Sequence, residues 1–178
     1  QRGPDRGSSF VDLYQRSDLG QRFVRDFSGR PSAFEREPLK FETRFNRRPL
    51  IVPVGARGGG IDYSLEVPRD ALLEFSIGVG ALFVGAHPFY QVDRSRFEVW
   101  IKTSDDFERI FSVSYNQMRR EDSSKWTDYQ IDLSQWGGRP AVLRFEVVRE
   151  DPQRDLGVAW WGSPHLIAPG IKGSPASF

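Results

Sequence analysis

WTDYQIDLSQWGGRPAVLRFEV, residues Trp126 to Val147, is the stretch whose reading decides the fold. Ile131 and Leu133 flank Asp132, and Leu143, Phe145 and Val147 alternate with Arg144, Glu146 and Val148. A period of two places alternate side chains on opposite faces of a strand. Between the two runs stand Gly137 and Gly138, which tolerate positive φ at a turn. Pro140 follows, barring a helix and suiting a place where no ladder N–H is needed. The expectation is a β-hairpin with Ile131 and Leu133 facing a core. Asp132 points outward or ties down a neighbouring loop. Nothing in the hairpin is suited to catalysis.

The same period recurs on both sides. Ile61, Tyr63, Leu65 and Val67 form one phase; Leu73, Phe75, Ile77 and Val79 form another. Phe41, Thr43 and Phe45, then Phe97, Val99 and Ile101, then Phe111, Val113 and Tyr115 repeat it. Turn signals separate these runs at Pro49, Pro53–Gly60, Pro68, His87-Pro88, Ser104 and Gly137. No long helical period intervenes, which disfavours βαβ units. Many short amphipathic strands predict an all-β, antiparallel jelly-roll sandwich. Leu65, Phe75, Val99, Phe111, Leu133 and Phe145 are the predicted core, because their phases agree across six strands.

The ends read differently. Residues 1–9 are polar, and Ser8 or Ser9 would cap a short helix carrying Phe10, Leu13 and Tyr14 on one face. Leu19 to Phe34 has no clear period. Residues 1–35 are therefore expected to form a helical or irregular extension, 36–168 the sandwich, and 169–178 a tail or linker. Phe10, Leu13, Tyr14, Phe23 and Phe27 are too apolar for a solvated tail. That makes 1–35 a candidate docking arm for a partner.

Composition excludes several classes of chemistry. The 178 residues suffice for one domain with a sizeable core, and 14 Phe, 5 Trp and 5 Tyr supply it. The chain has no Cys, so disulfides, thiolate metal sites and a Cys nucleophile are impossible, and two His cannot build a multi-histidine centre. A net charge of +1 gives no reason to expect nucleic acid. The most apolar run, Ala71–Val84, is too short to span a bilayer. Gln1 in the place of Met is read as processing, with a signal peptide among the expected losses.

Four motifs invite functional readings. Gly55-Ala-Arg-Gly-Gly-Gly60 lacks the ending of a phosphate loop and precedes a strand, so a mobile interstrand loop is expected. Ser163 and His165 lie two apart in a strand and should point the same way, but no nucleophile elbow surrounds them. Asp62, Glu66, Glu74 and Glu98 occupy outward phases, where charges are ordinarily solvated. Trp100 shares the polar phase of Glu98 and Lys102, and of the adjacent Trp160 and Trp161 only one can face the core. Trp100, Trp161, Glu98 and Lys102 are the candidate ligand-binding residues, an aromatic platform with flanking charges for a sugar ring or a partner's apolar patch.

Several of these residues together resemble a family. Trp126-x-Asp128, Ile131-Asp-Leu-Ser134, the Gly137-Gly138 pair, Val142–Val147 and the closing Gly157-Val-Ala-Trp-Trp-Gly-Ser-Pro-His-Leu166 resemble the galactose-binding-like and carbohydrate-binding-module-like jelly rolls of bacterial cell-surface proteins. Ile61–Pro68 and Ala71–Phe75 resemble the early strands of the same family. The resemblance covers about residues 45–168 and carries no diagnostic ligand residue. It implies a non-catalytic recognition domain working outside the cytoplasm, in the periplasm or at the bacterial cell surface, with a glycan as ligand. The alternative is an accessory or structural subunit of a larger, membrane-associated complex that holds a protein partner through residues 1–35. No catalytic residue, cofactor or metal is expected. A structural Ca²⁺ stays open, since Asp62, Asp70 and Asp128 offer oxygen but are not spaced as a loop motif.

Overall fold

The computed structural model describes residues 8–16, 20–26, 28, 30–33, 49–51, 57–80, 82–84, 87–90, 95–115, 126–150 and 158–169. Two antiparallel sheets face each other. The first contains β1 (Ser8–Asp12), β13 (Val158–Pro169), β6 (Leu72–Gly80) and β11 (Thr127–Asp132) in that order, with β4 (Pro49–Ile51) also on β13. The second runs β10 (Glu108–Tyr115), β9 (Ser95–Lys102), β12 (Pro140–Arg149), β5 (Gly58–Glu66), β2 (Gln21–Arg25) and β3 (Pro31–Ala33). A separate hairpin joins β7 (Leu82–Val84) to β8 (His87–Tyr90). This is the expected antiparallel jelly-roll sandwich.

The core lies between the sheets, and the alternating phases fill it. Ile61, Tyr63, Leu73, Phe75, Ile77, Phe97, Val99, Ile101, Leu133, Leu143, Phe145 and Val147 are all buried. Leu65 and Phe111, expected with them, are half-buried at its margin. At the centre stands Trp161, with 0% of its surface exposed. Its indole meets Phe75 of its own sheet and Phe97 and Phe145 of the opposite one edge-on, at centroid distances of 5.3, 5.2 and 5.1 Å. Edge-to-face contacts of this kind add about 0.5–1.5 kcal/mol each beyond burial. The indole N–H has no hydrogen-bond partner among the described residues, so packing alone holds the ring.

Several expectations fail for identifiable reasons. The opening stretch is not a hairpin: β11 pairs with β6 in the first sheet, and β12 pairs with β5 and β9 in the second. Their link is an arch from one sheet to the other. A 3₁₀ turn at Ser134–Trp136 buries Leu133 and Trp136 together, so both apolar residues close the end of the core instead of one flanking a flat turn. Asp132 does tie the arch down, accepting the Ser134 N–H at 2.8 Å, and that bond holds its carboxyl below the usual carboxylate range.

The N-terminal segment also departs from the reading. Its helix is absent: Ser8–Asp12 pairs with His165–Pro169, and Leu13 after it is buried. Gln21–Arg25 pairs with Gly58–Asp62, and Pro31–Ala33 pairs back on β2. The described part of residues 1–35 thus supplies strands to both sheets instead of a detached arm. Strand pairing outweighs the weak i, i+3, i+4 signal of a one-turn amphipathic stretch. Gly58–Gly60, expected as mobile loop, are buried strand residues. A Cβ on Gly60 would lie 2.3 Å from the Phe145 carbonyl oxygen and 2.8 Å from the Phe23 ring, so glycine is what lets Phe23 lie flat there. The strand expected at Phe41–Phe45 lies outside the described residues.

Trp161→Ala should lower stability by about 3–5 kcal/mol, whereas Trp161→Phe, which keeps ring contacts and removes the lone N–H, should cost less. Urea denaturation measures both; equal losses would mean that the indole N–H has a partner. Asp132→Ala should also destabilise the fold. Because the folded carboxyl is depressed, that contribution is present above the unfolded pKa and is lost as pH falls through the folded one. The variant and parent midpoints should therefore converge in acid.

Candidate functional site

The predicted platform around Trp100 lies on the outer face of the second sheet, and the structure closes it. Glu98 and Glu146 are direct cross-strand neighbours, and both are buried. Like charges placed so are destabilising unless countered. Arg25 grips Glu146 through two guanidinium nitrogens, Nε on Oε1 and Nη2 at 3.1 Å from Oε2. Its bond to Glu146 holds the Arg25 guanidinium above its ordinary pKa, against the lowering effect of burial. Glu98 accepts from Arg96 at 2.6 Å, Arg109 at 2.9 Å and the Trp100 indole N–H at 3.1 Å.

The aromatic faces on this sheet are taken as well. Arg109 lies over the half-buried Trp100 ring at 5.4 Å, and Lys102 over Phe107 at 5.7 Å. Arg144 binds Asp62 through two hydrogen bonds of 2.7 and 2.8 Å and stacks between Phe23 and Phe107. Of the four predicted residues, Trp100, Glu98 and Lys102 do share one face, but as members of this self-satisfied lattice. Trp161 is not with them: it belongs to the other sheet and points into the core. Its neighbour Trp160 pairs by backbone with Ile51 and Gly78, and its side chain lies outside the described residues.

The outer face of the first sheet is different. An open groove of about 490 Å³ is lined by Glu74, Ser76, Asp128, Gln130, Gly162, Ser163 and His165, with the strand backbone of Phe75 and Tyr129. Gln130 Nε2 donates to Glu74 Oε1 at 2.7 Å, and Ser76 Oγ donates to Asp128 Oδ1 at 2.6 Å. His165 Nδ1 lies 2.7 Å from the Ser163 carbonyl oxygen, and Nε2 lies 3.1 Å from Glu74 Oε2.

A β-bulge puts His165 there. From Ser76 to Glu74 β6 advances two residues while β13, opposite, advances three, from Gly162 to His165. Ser163 sits at φ 43°, in the left-handed region that non-glycine residues rarely occupy. Regular alternation would give His165 the inward phase of Trp161. The extra residue flips it outward, beside Glu74. Bulges of this kind re-aim side chains at functional sites. Ser163 and His165 both line the groove, on a strand whose regular alternation is broken between them.

Trp126 lies against Gly162, one of the residues that line the groove. Its benzo ring rests on Gly78 and Gly162: a Cβ on either would come within 2.9 or 2.7 Å of ring atoms. Two glycines set diagonally on adjacent strands, Gly78 opposite Trp160 and Gly162 opposite Ser76, make a flat seat, and the half-buried indole occupies it. Glu74 was visible in the sequence as an outward residue, Asp128 as an oxygen donor, and His165 only as a neighbour of Ser163. Their convergence was not, since it depends on strand order and the bulge. Trp126 and the glycine pair carried no local signal. Among the described residues, no group of three or more His, Asp or Glu could hold a metal ion.

No family model matches the chain. An uncharacterised protein of Archaeoglobus fulgidus is 31% identical over 105 residues, which is 57% of this chain, and the chain spans about a quarter of that relative's length. Among solved structures, the chain is similar to the xylan-binding module CBM15, with TM-score 0.48, 10% identity and coverage of 94% of this chain and 100% of the other. It is similar to the CBM22-1 xylan-binding domain of Paenibacillus barcinonensis Xyn10C at TM-score 0.47 and 9% identity, covering 96% and 91%. A cyclase from Fischerella sp. TAU gives 0.41 and 14%, covering 75% and 68%. These jelly-roll likenesses accompany a fold already evident from the two sheets, and no function is drawn from them.

Ser163→Gly should leave the fold unchanged or stabilise it by about 0.5–1 kcal/mol, because glycine adopts positive φ without the Cβ penalty. A thermal unfolding comparison checks this. Arg25→Ala should be strongly destabilising, by about 3–5 kcal/mol, since it strands the buried Glu146 charge. A loss below about 1 kcal/mol would show that the clamp is only a surface pair.

Proposed function

We propose that the chain is a non-catalytic glycan-recognition domain whose ligand lies in the groove of the first sheet. The observation that carries this reading is Trp126 on its glycine seat beside carboxylate, amide, hydroxyl and imidazole groups. A sugar ring offers an apolar face to an aromatic ring and a belt of hydroxyls to hydrogen-bonding side chains; Trp126 beside the groove would meet the first and the groove's polar side chains the second. Glu74 is oriented by Gln130 and His165, and Asp128 by Ser76, as suits positioned hydrogen-bond acceptors. Jelly rolls host many functions, so the argument rests on these side chains and not on the fold.

This reading moves the recognition surface away from Trp100, whose ring is already engaged by Arg109 and Glu98. It also removes the main support for a docking arm, because the described N-terminal strands belong to the sheets. A polymeric glycan ligand fits work outside the cytoplasm, at a cell surface or in a periplasm. No helix among the described residues is long and apolar enough to cross a membrane.

Electrophoresis through gels containing soluble polysaccharides tests the proposal. A single site of this size should bind in the millimolar-to-micromolar range. Trp126→Ala should abolish retardation while keeping a β-type far-UV circular dichroism spectrum, and Gly162→Ala, which pushes the ring off its seat, should weaken it. Trp100→Ala should leave retardation intact. The groove is excluded as the site if Trp126→Ala is retarded as strongly as the parent, and the second sheet is reinstated if Trp100→Ala is not retarded.

A further inference from the structure

Resting on the glycan reading, we infer that the groove selects uncharged glycans and rejects those bearing carboxylates, such as uronate-containing polymers. The evidence is the sign of the charge lining it. Glu74 and Asp128 stand on adjacent strands, and no Lys or Arg lines the groove among the described residues. Among the described lining residues, counting His165 as fully positive still leaves one net negative charge. His165 is moreover directed at Glu74 and at the Ser163 carbonyl, two acceptors of its own chain.

The rest of the molecule sharpens the contrast. The chain has 25 Lys and Arg, so cations were available to the groove. In the described structure, Arg25, Arg96, Arg109, Arg144 and Lys102 gather instead on the outer face of the other sheet, on the carboxylates and rings there. A uronate entering the groove would lose water from its own carboxylate and face two more at short range, with no guanidinium among the described lining residues to pair with. A neutral sugar meets the same carboxylates as strong acceptors for its hydroxyls. The like-charge arrangement works against the wrong ligand while the acceptors favour the right one.

The size of the effect follows from ordinary electrostatics. Repulsion at a surface groove is softened by water and salt, so a discrimination of about tenfold or more is expected at low ionic strength, shrinking as salt rises. The neutral interaction should be nearly insensitive to salt.

Matched polymers provide the test. Hydroxyethylcellulose and carboxymethylcellulose share one backbone, galactan and polygalacturonate form a second pair, and debranched xylan and glucuronoxylan a third. Affinity electrophoresis and isothermal titration calorimetry are run at 20 and 300 mM NaCl. The inference predicts at least tenfold tighter binding to the neutral member of whichever pair is bound. It predicts also that Glu74→Gln combined with Asp128→Asn brings the ratio toward one. Equal or tighter binding of the acidic member by the parent protein overturns the charge selection and leaves glycan recognition standing. Absence of binding to every polymer overturns both. Should the double variant fail to fold, the salt series on the parent decides: a neutral-to-acidic ratio unchanged between 20 and 300 mM overturns the inference.

Discussion

The contact on which the structure depends is Trp161 against Phe75, Phe97 and Phe145. There large rings from both sheets meet around one indole. With the indole committed inward, Gly162 must face outward, and the seat for Trp126 is fixed as a consequence. Downstream on β13, Pro164 and Leu166 are buried. Regular alternation from Trp161 would instead bury His165 and expose Leu166. The bulge at Ser163 resolves that conflict, keeping Trp161 and Leu166 in the core and turning His165 to the groove. The cost is a non-glycine residue at positive φ, which over-determination by the flanking strands can hold.

The two outer faces solve opposite problems. The second sheet has two glutamates opposed across strands and buried, an arrangement that stands only because arginines cover them. Of these, Arg109 also lies over Trp100 and Arg25 over Phe23, while Arg144, paired with Asp62, lies over Phe23 and Phe107, so charge satisfaction and aromatic coverage are accomplished by the same groups. The result is a closed surface. The first sheet has the reverse: small residues at Ser76, Gly78 and Gly162, polar side chains at the rim, and an open groove between them. Recognition belongs where side chains are oriented by their neighbours but not covered by them.

Much of the core was legible in the sequence because period two is a local property. A strand with apolar residues at alternate positions buries that face whichever strand it pairs with, so Phe75, Val99, Leu133 and Phe145 were identified without any topology. The pairing was less legible. The Gly137-Gly138 turn looks the same whether it closes a hairpin or carries the chain to the opposite sheet. What distinguishes them is the joint burial of Leu133 and Trp136, a tertiary fact. The one-turn helix expected at Phe10–Tyr14 failed in the same way, since a short amphipathic pattern cannot compete with an open edge on β13. The site was least legible. Trp100 stood out because it shared a phase with charges, yet those charges are what cover it.

The arrangement also limits which substitutions can probe recognition without disturbing the fold. Glu98 and Glu146 look like candidates for chemistry, but each is bound to arginines in a buried pair, and changing either alters the sheet itself. Glu74 and Asp128 are hydrogen-bonded to side chains at the groove, and Trp126 rests on backbone instead of interlocking with the core rings. Removing them changes the groove's charge and flatness while Trp161 and its three partners stay in contact. Rigid support from one face of the strands and groove-facing groups on the other is the division of labour that a two-sided sheet permits, and here the dividing line passes between Trp161 and Gly162.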